Sequence, residues 1–160
     1  MKYLEDLQVG ETFALGSHMF TADDIKAFAR RFDPQPFHLD EAAGAASHFG
    51  GLCASGWHTA TMWMRLMVAF ARRLEEQARL RGETAPSLGP ALGLRDLNWQ
   101  KPVYAGDTID YSSEVLEKRV SNSRAGFGLL TLRSSGVNQN GEMVMSFFST
   151  AFVARRPEAA

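Results

Sequence analysis

The hydrophobic positions of this chain follow helical spacing up to about residue 81 and a strand-and-turn pattern from about residue 90. Glu11 to Ser17 alternates weakly and reads as a first strand ending at Gly16. Thr21-Ala22-Asp23-Asp24 is a capping-box variant, with Thr21 as N-cap and an acid three residues on. Ile25, Phe28, Ala29 and Phe32 then recur at helical spacing and form one apolar face. The helix should stop at Asp33-Pro34, because a residue before proline is pushed out of the α region. Asp40 is placed to cap a short helix from Glu41 to about Ser47, which includes a small-residue patch from Ala42 to Ala46.

Phe49 to Ala54 is a mostly apolar, glycine-containing approach to the longest apolar run, and Ser55 can cap a helix beginning at Gly56 or Trp57. From Trp57 to Ala71 the run is apolar nearly all round, with Arg65 its one charged residue, which predicts a buried helix. Its charged continuation, Arg72 to Arg81, should leave the core, and Gly82 to Pro90 reads as a loop. Strands are expected at Leu92 to Trp99, Thr108 to Lys118, Gly126 to Ser134 and Glu142 to Val153. Asn122-Ser123 and Asn140-Gly141 fall between them, the latter a strong hairpin signal. An α+β architecture follows, one antiparallel meander wrapped round one buried helix.

With 160 residues, 45% of them hydrophobic, the chain suits a single domain over 1–160 with a substantial core. Its net charge of −1 and scattered basic residues argue against nucleic acid or an acidic membrane as partner. A single cysteine, Cys53, precludes an internal disulfide and suits a reducing compartment. The first residues lack the apolar stretch of a secretory signal and no window is long enough to span a membrane, so a cytoplasmic location is expected.

The candidate chemistry lies between the first two helices. Asp33 and His38 stand five residues apart in a segment stiffened by Pro34 and Pro36. A carboxylate and an imidazole sharing one water can deprotonate it and protonate a neighbouring carbon, as hydration of a conjugated double bond requires. The spacing alone equally fits a helix-ending aspartate and a histidine that precedes an N-cap. Gly56 at the start of a helix can present an unpaired N–H to a carbonyl oxygen gaining charge, although ordinary capping by Ser55 explains the same pair of residues. The segment Gly51 to Trp57 is not a nucleophile elbow, since glycine is missing at Cys53 and Trp57. Cys53 sits among apolar residues and reads as inert core. His18, His38, His48 and His58 show no metal-ligand spacing, and Gly89 to Gly93 is no phosphate loop.

Taken together, Asp33-Pro34-Gln35-Pro36-Phe37-His38-Leu39-Asp40, Phe49 to Gly56 with its following helix, and Lys101-Pro102-Val103-Tyr104-Ala105-Gly106-Asp107-Thr108 resemble the MaoC-like dehydratases, the family of (R)-specific enoyl-CoA hydratases. The blocks fall in the family's order, and the resemblance covers about residues 8 to 154. It implies the hot-dog fold, a long central helix wrapped by a curved antiparallel sheet. Asp33 and His38 match the family's catalytic pair in its D-x-N-P-x-H pattern, and Gly56 matches its oxyanion glycine. Gln35 stands where the family usually has Asn, and Ser55 where a His often precedes the glycine. The implied activity is a hydro-lyase that adds water reversibly across the 2,3 double bond of an enoyl thioester. The substrate would be an acyl-CoA, with no cofactor, and the assembly a homodimer or dimer of dimers. Arg95, Lys101 and Arg124 are candidates for the CoA phosphates. A hot-dog thioesterase is a second reading, weakened because Trp57 to Arg73 holds no carboxylate. A non-catalytic acyl-CoA-binding module is a third.

Overall fold

A computed structural model describes residues 2–84, 86 and 88–157. After a short 3-10 turn at Leu4–Asp6 come β1 (Thr12–Met19), α1 (Ala22–Phe32), α2 (Pro36–Leu39), α3 (Glu41–Ala46) and α4 (Gly56–Leu80). Four long strands follow: β2 (Leu88–Trp99), β3 (Thr108–Val120), β4 (Phe127–Asn138) and β5 (Met143–Ala154). They form one sheet with β1 in the order β1-β3-β4-β5-β2, every neighbouring pair antiparallel. This is the long helix against an antiparallel sheet that the hot-dog resemblance implies. No helix among the described residues is long and apolar enough to cross a membrane.

Alternate residues of β3, β4 and β5 point inward: Ile109, Tyr111, Ser113 and Val115, then Leu130, Leu132 and Ser134, then Met145, Phe147 and Ser149. Trp63 of α4 enters this surface edge-on to Phe147 at 4.6 Å. Its indole N–H donates to Ser113 Oγ at 3.3 Å, and that hydroxyl also pairs with Ser134 at 2.9 Å. Tyr111 donates to the Thr59 carbonyl at 3.0 Å. These buried hydroxyls and the indole thus pair within the core, as burial of polar groups requires.

Several expectations need correction. β1 does not end at Gly16: the strand passes it at a register shift, with φ of 127°, and continues to Met19. β2 starts at Leu88, four residues before the predicted Leu92, and takes the end of the expected loop. The segment holding His38 is not loop throughout, because Pro36 opens the helical turn α2. α4 is not buried all round. Its inward stripe is His58, Thr59, Trp63, Met67, Ala71 and Ala78, whereas Trp57 (57% exposed) and Met64 (49%) face outward. The sheet of one chain covers only one side of the helix, so apolar composition on the other side does not enforce burial. Likewise Phe32, expected on the packed face of α1, is exposed, and Ile25 and Ala29 carry the burial.

The caps fall as read: Thr21 accepts from the Asp24 N–H at 3.1 Å and Asp40 from the Ala43 N–H at 2.9 Å. The small residues of α3 serve close packing. A Cβ on Gly44 would come within 2.7–2.8 Å of the Gly51–Leu52 backbone, so only glycine lets α3 lie against the strand-like approach to α4.

Candidate active site

Three segments converge near the start of α4. The Pro102–Asp107 turn runs beside the approach segment: the Ala54 N–H donates to Val103 O at 2.7 Å, the Ala105 N–H to Leu52 O at 3.1 Å, and Cys53 bridges Tyr104. Tyr104 donates to the Phe49 carbonyl at 2.7 Å, and Asp107 accepts from the Tyr104 N–H at 2.8 Å. This turn fixes residues 52–54 in extended form and so fixes where the Cys53 carbonyl points.

That carbonyl meets His38. The buried imidazole approaches Cys53 O through Nδ1 at 2.7 Å, and since a carbonyl only accepts, Nδ1 carries the proton. Nε2 is left for Asp33, whose Oδ2 lies 3.5 Å away. The other oxygen, Oδ1, accepts from the Gln35 amide at 2.8 Å. Partial burial pushes the Asp33 carboxyl up, but the Ser55 hydroxyl, the Gln35 amide and the neighbouring His38 outweigh it and hold the carboxyl below its ordinary value. Asp33 is therefore ionised at neutral pH and faces the unprotonated Nε2 of His38.

Ser55 joins the two halves of the site. Buried at the end of the approach segment, it caps α4 by accepting from the Trp57 N–H at 3.2 Å, and its hydroxyl helps hold the Asp33 carboxyl low. Gly56 opens the helix, and its N–H, in the first turn, has no intrahelical partner to meet. Asp33, His38 and Gly56 all line one open cleft of about 640 Å³. Its other walls include Phe37, Phe49, Trp57, Thr59 and Trp99. The central helix contributes Trp57 and Thr59 to this cleft and none of its methionines.

Of the other sequence candidates, Cys53 and Lys101 line the same cleft and Arg95 and Arg124 do not. Cys53 has its thiol 3.8 Å from His38 Nδ1, but burial pushes that thiol up to about 11, so it is a poor nucleophile. Lys101 lines the cleft and is paired with Glu142. Arg95 lies over Phe148, and Arg124 over Phe127 and Phe152. Among the described residues, no three His, Cys, Asp or Glu side chains converge as a metal site would need. A larger cavity of about 760 Å³ involves the C-terminal half of α4 and is mostly apolar, lined by Phe13, Phe70, Leu74 and Phe152. The charges around it are paired, Lys2 with Glu11, Arg81 with Glu83 and Arg156 with Asp6, which leaves no acid/base couple there. Sequence reasoning missed the Cys53 carbonyl and Trp99. The first belongs to a backbone whose direction no side-chain motif records, and the second is 43 residues from the glycine it packs against.

Residues 7–131 match the family model described as MaoC like domain. The crystal structure of the MaoC-like dehydratase from Rhodospirillum rubrum superposes with a TM-score of 0.81 and 40% identity, covering 98% of this chain and 99% of that one. The uncharacterized protein YdeM of Bacillus subtilis (strain 168) is 31% identical over 136 residues, 85% of this chain and 87% of its own length. The 3-hydroxybutyryl-CoA dehydratase of Methylorubrum extorquens is 28% identical over 123 residues, 77% of this chain and 69% of its own.

Proposed function

Since this chain belongs to the MaoC-like dehydratase family, we propose that it is a hydro-lyase acting on a 2-enoyl thioester of CoA, with Asp33 and His38 as its acid/base pair and the Gly56 N–H as oxyanion donor. The observation that carries the reading is the meeting of Asp33 Oδ2 and His38 Nε2 at 3.5 Å in a cleft that Gly56 also lines. In this mechanism one water donates to the Asp33 carboxylate and to His38 Nε2. Its hydroxyl adds to C3 while the pair takes up its proton, and the same proton passes to C2, so both added atoms come from the water. Negative charge that reaches the thioester oxygen in the transition state is met by the Gly56 N–H, reinforced by the positive end of α4. Held geometry does much of the work: Asp33 is fixed by Gln35, and His38 by the Cys53 carbonyl.

Purified protein should bleach the conjugated-thioester absorbance of crotonyl-CoA. Asp33→Asn and His38→Ala should each lower kcat by about 10²–10⁴-fold, the usual worth of a general acid/base. Release of free thiol instead would establish a thioesterase, and binding of crotonyl-CoA without turnover would leave the non-catalytic module; either would overturn the proposal. We extend the reading to a homodimer, supported by an unpartnered and apolar edge. Among the described residues β2 bonds only to β5 within the sheet, and it exposes Leu92 and Leu94.

A further inference from the structure

Among the described residues one non-glycine has a left-handed backbone, Asp96, with φ of 54°. It lies in β2 where the pairing with β5 slips between Arg95 and Asn98. The Asn98 side chain donates to the Asp96 carbonyl at 2.8 Å and ties the irregularity together. A bulge of this kind re-aims the side chains that follow it, and strained backbone persists where the surrounding structure holds it for a purpose. Pairing resumes with Asn98 opposite Ser146 and Trp99 opposite Met145. Trp99 then lies over Gly56: a Cβ built on that glycine would stand 2.5–2.8 Å from indole atoms Cε2, Cδ2 and Nε1. Trp57 meets the same indole edge-on at 5.3 Å, and both tryptophans line the cleft that holds Asp33 and His38.

We propose that Trp99, aimed by the Asp96 bulge, is the specificity-determining wall of the cleft and restricts it to short acyl chains. The inference rests on the enoyl-thioester reading. With the thioester oxygen at the Gly56 N–H and C2 and C3 at the Asp33/His38 pair, an acyl chain that runs on within this cleft passes the indole that forms its wall. Contact with the glycine backbone on one face and Trp57 on an edge keeps the ring from turning aside for a longer chain. Bulk at such a wall discriminates strongly, since one methylene too many or too few in an apolar pocket is worth roughly 10–200-fold. Gly56 thereby has two reasons to be glycine, no Cβ in the path of the substrate carbonyl and none to displace the wall.

The test is the ratio of kcat/KM for oct-2-enoyl-CoA to that for crotonyl-CoA. Trp99→Ala should raise the ratio at least about tenfold and Trp99→Phe by less. Asp96→Val, which places a β-branched residue at positive φ, should disturb the bulge and move the ratio in the same direction. Asp96→Gly, which keeps the left-handed backbone, should leave the ratio near the parent's. The inference is overturned if Trp99→Ala and Trp99→Phe both keep the parental ratio, including the case where rates on both esters fall together. Parental turnover of crotonyl-CoA with an unmoved ratio refutes the wall alone. No parental turnover of either ester refutes the enoyl-thioester reading and the wall with it.

Discussion

Acidification from pH 8 to pH 5 should destabilise this fold chiefly through His58. Its ring is 4% exposed, stacked on Phe28 at 4.4 Å and set edge-on to Phe20 at 4.9 Å, with Nδ1 lacking a partner. Burial first, and then the neighbouring His18, push it from an ordinary 6.5 down to about 4, against the opposing pull of Asp24. Between those values the unfolded chain binds a proton that the folded chain refuses. Stability is therefore whole above about pH 6.5 and falls as the pH drops toward 4. At pH 5 the unfolded imidazole is largely charged and the folded one largely neutral, a shift of about thirtyfold in the folding constant, or about 2 kcal/mol. Near pH 4 the loss approaches about 3 kcal/mol, a substantial part of the 5–15 kcal/mol typical of a domain. His18, also lowered by burial and with Nε2 unpartnered, adds in the same direction. The lowered carboxyls, Asp33 and Glu142 among them, lose stability only below about pH 4.5, outside this window. Urea unfolding at pH 8, 6.5 and 5 measures the effect, with His58→Phe as the comparison because it keeps a ring against Phe28. The variant should lose about 2 kcal/mol less than the parent between pH 8 and 5. Equal losses in the two proteins would refute the argument, since the titrating group would then lie elsewhere.

Gly56→Ala should cost about 1–3 kcal/mol by forcing its methyl against the Trp99 indole, and Trp99→Ala added to it should recover most of that loss in a thermal-melt cycle. An additive pair would show that the two residues do not press on each other. For the edge of β2, Leu94→Lys should convert a light-scattering mass of two chains to one at micromolar concentration, and a parental mass of one chain would remove the dimer from the reading.

Much of the helical half is legible locally. Thr21, Asp40 and Ser55 act as the caps their positions suggest, and Asp33-Pro34 stops α1, because capping and proline sterics involve neighbours within four residues. The antiparallel strands follow the alternation and the Asn140-Gly141 turn, with ends displaced where bulges let a strand run on, as at Gly16 in β1. Burial was less legible. Trp57 and Met64 share the composition of Trp63 and Met67 yet face outward, because which side of α4 the sheet covers depends on its curvature.

The same division holds at the candidate site. The resemblance carried by the order of the motifs marks Asp33, His38 and Gly56, whose spacing alone also fits a helix end and an ordinary cap. Their working geometry comes from farther away. The Cys53 carbonyl that sets the His38 tautomer is aimed by backbone pairing with Val103 and Ala105, and Trp99 reaches Gly56 through a bulge near the end of another strand. Gln35 and Ser55, departures from the family pattern in the linear chain, prove to be neighbours of the pair once the chain is folded: Gln35 donates to Asp33, and Ser55 caps α4 and lines the same cleft. Local sterics and hydrogen bonding can be read along a chain. Distances between residues tens of positions apart depend on sheet register and twist, which arise only when all five strands close round the helix.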